Sequence, residues 1–417
     1  MQKYLNFIRQ TVRVIVIGVT IGFMVALFQF LMVQLTHFLM DVFVNHVLWK
    51  MIAFFIALPI IIFYSYLFTS KNPNIRSGGI PQLENNLKHH RERLNWFKDL
   101  PMMIFSSLCS FCAYGTLGGE GPSVVIGGNS ALMINSLFHE KDYESVWIGA
   151  GAAFGCAFQS PISGLIYCLE TLLPRFSIKA ILKSIIIIFI SFLVIYTIFP
   201  HKVLTLEIDK VLPFELWYVG LIVVIMNFIF GTLFLKGIKL VKEYLKKHPN
   251  SFYNKYKVFI FYGVTIILAF FLGKYMGSGS SFLGILPLES VWYILLLLCF
   301  FRLILTIHSS TASISGGIVI PQLAIGGVVG MFIMIIVHNL FNVSLDYTGE
   351  IILLSMLSFY VIVMESPFTG IALTFAFVSF DNALKVLPLV IIVMLLSRLV
   401  SYINGEPSLY HLVEKDL

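Results

Sequence analysis

The sequence predicts an all-α polytopic membrane protein assembled from a duplicated set of short, broken helices. Three observations carry that prediction: a large excess of apolar over charged residues, a succession of long apolar stretches without strand-like alternation, and two pairs of matching motifs nearly 200 residues apart.

Composition comes first. Of 417 residues, 58% are hydrophobic and 12% charged, and the mean hydropathy is +0.91. An ordinary soluble domain carries about 25% charged residues. A soluble core could not hide this much apolar surface, whereas a bilayer covers it with lipid.

Long apolar stretches run over about 14–40, 51–69, 179–199, 213–235, 257–273, 289–306 and 384–403. Shorter ones lie near 101–115, 123–137, 146–169, 318–337, 350–364 and 369–379. A full span needs about 20 residues, so several of the second group are expected to fall short, interrupted by Gly or Pro. Broken helices are tolerated at membrane depth only where they line a protein cavity or pathway, which points to a transporter or channel. The alternating ten-residue segments of an outer-membrane barrel are absent. The first stretch, after Arg13, is too long for a signal-peptide core and reads as a permanent helix.

The net charge of +7 is concentrated. Lys71, Arg76, Lys88, Arg91, Arg93 and Lys98 crowd one loop; Lys236, Lys239, Lys242, Lys246, Lys247, Lys255 and Lys257 crowd another. Short Lys/Arg-rich loops mark the cytoplasmic side, which places both loops and both termini there, in a multi-pass cell-membrane protein. That reading displaces nucleic-acid binding. Cys109 and Cys112 form a CxxC without a second CxxC or a His pair, so they read as packing residues and no metal site is expected.

The chain repeats itself. GGEGPSVVIGG at 118–128 is echoed by GGIVIPQLAIGG at 316–327, and SPISGL at 160–165 by SPFTGI at 366–371. Two matches in the same order argue for a duplicated unit. The expected division is 1–205 for the first membrane repeat, 206–403 for the second and 404–417 for a terminal helix.

Gly-Gly followed by Pro at the head of an apolar run is a helix start: Gly allows the tight turn and Pro suits the first helical turn. The unpaired N–H groups then point at whatever precedes them. Such N-termini buried at membrane depth are anion sites. SGGIPQLE at 77–84 is a third candidate. Glu120 stands between the glycines and the Pro of the first motif. A carboxylate at membrane depth costs about 2.5–3.5 kcal/mol on insertion scales and reads by default as functional. It would compete with an anion for the helix N-terminus, and protonation would remove it, so Glu120 is the candidate gate.

At these residues the chain resembles the CLC family of chloride channels and proton-coupled chloride transporters. GGEGP at 118–122 is similar to the family's GxEGP motif, GGIVIP at 316–321 to GGIFxP, and SGGIP at 77–81 to GSGIP. GLIYCLETLLPRF at 164–176 resembles the helix of internal carboxylates, and SPFTGIALTF at 366–375 and PSLYHLV at 407–413 resemble the late helix and terminal Tyr segment. The likeness runs from about residue 60 to the C-terminus.

The resemblance implies two inverted repeats of short tilted helices and a homodimer with a pathway in each subunit. It implies anion ligands at Gly78, Gly79, Ile80, Gly121, Ile318 and Val319, and the hydroxyl of Tyr410. It implies a proton path through Glu120 and the positions of Glu170 and Thr171. Three departures qualify it. The motif's central Ser falls on Gly78, its Phe on Val319, and the internal proton glutamate on Thr171, which cannot titrate; Glu170 beside it points about 100° away on a helix. Proton-coupled antiport of chloride or a similar small anion is the leading reading, with a passive chloride channel or a fluoride exporter as alternatives. No phosphate loop or nucleophile triad suggests an enzyme, and no cofactor is implied.

Overall fold

In the computed structural model the described residues are 2–173, 177–202, 204–279, 291–405, 407–409 and 412, and among them the regular elements are all helical. The first half comprises α1 (Gln2–Phe43), α2 (Leu48–Lys71), α3 (Ile80–His89), α4 (Trp96–Phe111), α5 (Glu120–Leu137), α6 (Tyr143–Ala157), α7 (Pro161–Tyr167) and α8 (Ile178–Ile198). The second comprises α9 (Tyr218–Lys247), α10 (Phe252–Leu272), α11 (Trp292–Thr311), α12 (Val319–Phe341), α13 (Thr348–Met364), α14 (Pro367–Phe377) and α15 (Phe380–Asn404). Nine helical segments among the described residues are long and apolar enough to cross a bilayer.

The duplication read from the motifs reappears as packing. In the first half α5 packs on α4 and α6, and α6 on α8; in the second, α12 packs on α11 and α13, and α13 on α15. The two halves meet where α7 packs on α14. Small residues allow the tight hairpins: Gly127 lies against Gly149 and Ala153, and Gly326 against Ser355 and Met356. Without a hydrophobic force between helices in lipid, such close approach is what holds membrane helices together.

Two stretches differ from expectation. Segments 318–337 and 350–364, placed among the shorter apolar pieces, belong to longer helices: α12 has 23 residues and the helical segment Leu345–Met364 has 20. Both are almost wholly buried. Their glycines and serines face neighbouring helices rather than breaking the backbone, so they are core helices rather than fragments. By contrast, 146–169 does divide, into α6 and α7, at Gln159 (φ 49°) and Ser160, whose side chain caps α7.

Helix α1 has 42 residues, about 63 Å at 1.5 Å per residue, twice a hydrocarbon core. Its first turns project beyond the bundle and are tied to the α5–α6 turn. Arg13 pairs with Asp142 at 2.9 Å, Gln10 donates to Glu140 at 3.1 Å, and Arg9 donates to the Phe138 carbonyl. Cys109 and Cys112 sit at the end of α4 as free thiols.

Candidate anion pathway

Six α-helix starts among the described residues are closed by their own N-cap side chain. Asn95, Asp142, Ser160, Ser177, Ser251 and Ser379 each accept a hydrogen bond from a first-turn N–H, capping α4, α6, α7, α8, α10 and α15. The three Gly-led helices are left open: α3, α5 and α12 start at Gly79, Gly119 and Ile318 with no side-chain cap. Other open starts, those of α2, α9, α11 and α13, do not border the same space. A capped N-terminus has its donors satisfied; an open one keeps positive N–H groups available for an anion.

The three open starts converge. Gly118 and Gly317 exchange both backbone hydrogen bonds, N–H to O at 2.6 and 2.7 Å, as an isolated antiparallel pair joining the two repeats. A Cβ on Gly121 would lie 2.8 Å from the Gly317 Cα, and one on Gly317 2.6 Å from the Gly121 nitrogen, so any side chain at either position meets backbone. Further bonds lock the halves: Ser77 N–H to Ile314 O at 2.8 Å, Ser315 Oγ to Ile75 O at 2.8 Å, and Ser106 with Ser315 at 2.7 Å. A buried polar network fixes the turn before α3. Asn72 and Asn74 donate to the two oxygens of Asp99 at 2.8 and 3.0 Å, and Asn86 donates to Asn74 at 3.0 Å.

At the junction is a cavity of about 20 Å³, lined by Ser77, Gly78, Ile80, Gly121, Gly317, Ile318 and Val319, with Met364 and Leu409 closing one side. One water needs roughly 10–15 Å³ measured this way, so the space suits a single dehydrated ion. Gly78, Ile80, Gly121, Ile318 and Val319, expected as anion contacts, all border it. Gly79 is instead the left-handed residue before α3, with φ 73°. Tyr410 and most of the terminal segment 404–417 expected as a helix (406, 411 and 413–417) lie outside the described residues, while Leu409 borders the cavity.

Wider chambers lie on either side. A vestibule of about 480 Å³ carries Arg76, Arg93, Lys242, Lys246 and Lys257, and shares Ser77 and Ser310 with the small cavity. The other, of about 280 Å³, is lined by Gln29, His37, Tyr114, His201 and Lys202 and ends on Gly119 and Glu120. Glu120 borders this chamber and Gly121 the small cavity, so Glu120 divides the two. Its side chain is 3% exposed, and its carboxylate faces the backbone N–H groups of Glu120, Ile320 and Gly119. Its Oε2 has no hydrogen-bond partner.

Glu170 lies in a π-helical turn, Cys168–Leu172, and both its oxygens are engaged. Oε1 accepts from Phe368 N–H at 2.9 Å; Oε2 accepts from Thr369 N–H and Thr369 Oγ1, each at 2.6 Å. It is therefore the cap that Ser366 does not provide for α14. Thr171 lies 3.4 Å from Ser366 Oγ.

Reading the motifs residue by residue missed two groups. Ser77, one position before Gly78 and left-handed (φ 51°), also borders the cavity, and its hydroxyl donates to the Ser310 carbonyl at 3.3 Å. Gln29 reaches from α1 to donate to Ser123 at 3.2 Å in the first turn of α5. An adjacent Ser in SGGIP hinted at the first; nothing in the apolar run of α1 singled out the second beyond its being polar.

Residues 61–402 match the family described as "Voltage gated chloride channel". Solved structures show the same fold. One is described as a slow cyanobacterial Cl⁻/H⁺ antiporter, with a TM-score of 0.84 at 21% identity, covering 98% of this chain and 97% of that one. A CLC-type fluoride/proton antiporter gives 0.75 at 22% identity, covering 98% of each. A eukaryotic CLC transporter gives 0.76 at 16% identity, covering 98% of this chain and 74% of the other.

Proposed function

Because the chain belongs to the voltage gated chloride channel family, we propose that it moves chloride or a similar small anion across the membrane in exchange for protons. The observation that carries this reading is the position of Glu120. A buried carboxylate occupies the boundary between the outer chamber and a one-ion cavity, against N–H groups at the starts of α5 and α12, the helix starts that border the cavity. Anion and carboxylate compete for these helix starts, and protonation releases the carboxylate. A group exchanged in this way can carry a proton one way as the anion moves the other.

We place the basic chamber and both termini in the cytoplasm, in the cell membrane, following the Lys/Arg loops. We take the functional unit as a homodimer with one pathway per subunit, as the family resemblance implies. The solved antiporters of this fold, one for chloride and one for fluoride, favour exchange over passive conduction and keep fluoride open beside chloride. Passive conduction remains the second reading because Thr171 offers no titratable group. Crossed chloride and pH gradients across liposomes decide between them. An exchanger's reversal potential follows both gradients; a channel's ignores pH, and that outcome would overturn antiport.

We assign Glu170 to capping α14 rather than to relaying protons, since both its oxygens are already engaged by Phe368 and Thr369 at the start of that helix. Glu170→Ala should destabilise the protein by about 0.5–2 kcal/mol, the usual cost of a lost N-cap, seen as a lower melting temperature. Glu170→Gln should leave the proton-to-anion ratio unchanged in liposome flux; a fall in that ratio alone would return Glu170 to the proton path.

Tyr410 is proposed to contact the permeant anion from the basic side. Loss of a hydrogen bond to a charged partner costs about 1.5–3 kcal/mol, so Tyr410→Phe should weaken anion binding by calorimetry. Unchanged affinity in Tyr410→Phe and Tyr410→Ala would rule the contact out.

A further inference from the structure

We propose that His308 carries protons between the basic vestibule and the outer chamber, in place of the carboxylate that Thr171 lacks. This inference rests on the exchange reading above, since passive conduction needs no such carrier.

His308 lies in the last turn of α11, a helix long and apolar enough to cross the bilayer. Its side chain is half-buried. Its Nδ1 shares a hydrogen bond with the Tyr253 hydroxyl of α10 at 2.9 Å. Its Nε2 is buried and has no hydrogen-bond partner among the described residues. The Tyr253 hydroxyl also meets the Thr311 side chain. Thr311 lines the vestibule, as does Asn254 next to Tyr253. Two hydrogen-bonded steps therefore lead from the vestibule wall to the imidazole.

On the other side, the ring centroids of His308 and Phe261 are 5.6 Å apart. Phe261 is wholly buried and packs on Gly115, where an added Cβ would lie 2.7 Å from the Phe261 Cζ. Gly115 in turn lines the outer chamber that ends on Glu120. Phe261 and Gly115 thus connect His308 to that chamber by direct contact. The next residues along both segments, Ser309 and Thr116, are buried and share a hydrogen bond at 2.8 Å.

A neutral imidazole is a donor at one nitrogen and an acceptor at the other, so it can take a proton on one side and give one on the other. The Tyr253 O–H passes its proton to Nδ1 while its oxygen takes one from vestibule water. The imidazolium then gives its Nε2 proton to water, which carries it past the Phe261 ring to the outer chamber. One proton enters and one leaves, and the ring turns about Cβ–Cγ to begin again. The titratable group facing His308 is Tyr253. Further charge comes from Lys236 and Lys239 of α9, on either side in sequence of Gly237, which meets Ile307. The vestibule adds Arg76, Arg93, Lys242, Lys246 and Lys257, and α12 adds His338 in its last turn. Lys, Arg and Tyr ordinarily keep their charge state between about pH 5 and 8, the range in which imidazole is the side chain that changes.

Purified protein in liposomes with an outward chloride gradient tests this, with a chloride electrode and a trapped pH dye. The original protein is expected to move protons. His308→Gln keeps a hydrogen-bonding side chain but cannot carry a proton, so its proton-to-anion ratio should fall by about tenfold or more while anion flux persists. Tyr253→Phe, which removes the hydroxyl that feeds Nδ1, should lower the ratio less. A loss of packing alone would lower the melting temperature and both fluxes together, at an unchanged ratio. Should His308→Gln not fold, Tyr253→Phe decides in its place. An unchanged ratio in the folded variant overturns the role of His308 and leaves exchange standing. No proton movement by the original protein overturns the exchange reading itself, and this inference with it.

Discussion

Replacing Glu120 with Gln or Ala should leave a folded protein that still passes anions but moves no protons and shows no dependence of flux on pH. The carboxylate is buried, with one oxygen unpartnered. A charged side chain at membrane depth costs about 2.5–3.5 kcal/mol on insertion scales, so removing it gives up little stability and the melting temperature should hold or rise. In the original protein, falling pH neutralises the carboxylate, frees the N–H groups of α5 and α12 and raises flux. The variants should have constant flux over the same range. Flux measured by chloride electrode and proton movement by a trapped dye check both halves. Glu120→Ala that keeps the original pH dependence would show that some other group is the gate.

Gly317→Ala and Gly121→Ala should each abolish anion transport. At both positions the added methyl meets backbone of the opposite repeat, not a side chain that could rotate away: the Gly121 nitrogen at 2.6 Å in one case and the Gly317 Cα at 2.8 Å in the other. Overpacking of this kind costs about 1–3 kcal/mol. Relief requires separating the Gly118–Gly317 pair, which holds the open helix starts around the ion cavity. The effect on transport should therefore exceed the effect on folding: loss of anion binding and flux, with a modest fall in melting temperature. A useful control is Gly263→Ala, on α10, where an added Cβ meets nothing within 4 Å. Near-normal flux in Gly317→Ala would mean that this close approach does not shape the pathway.

Much of the local structure was legible because it follows from chain chemistry. Gly-Gly followed by Pro favours a helix start, and α5 and α12 begin at Glu120 and Val319 as that chemistry suggests. The division of 146–169 was less clear, since an uninterrupted apolar run does not announce the left-handed residue Gln159. The segments that became α12 and α13 were placed among the shorter apolar pieces, where Gly reads as an interruption in one dimension; packed against another helix, Gly326 and Gly330 are contact surface. Glu170 shows the same limit in reverse. A carboxylate in an apolar segment reads as functional, and only the helix N-terminus some 200 residues away reveals it as a cap.

The sequence by itself determined that this chain lives in a bilayer, that it is duplicated, that three helices start on Gly–Pro motifs, and that Glu120 is the carboxylate among them. All of these depend on composition or on spacing within a few residues, where backbone sterics and hydration act locally. Only the tertiary structure decided that the three open starts share one ion-sized cavity, that Ser77 borders it beside Gly78, and that Glu170 is already bound. Those are relations between groups far apart in the chain, set by how closely glycine lets two backbones approach and by which buried donors are left for a carboxylate to satisfy.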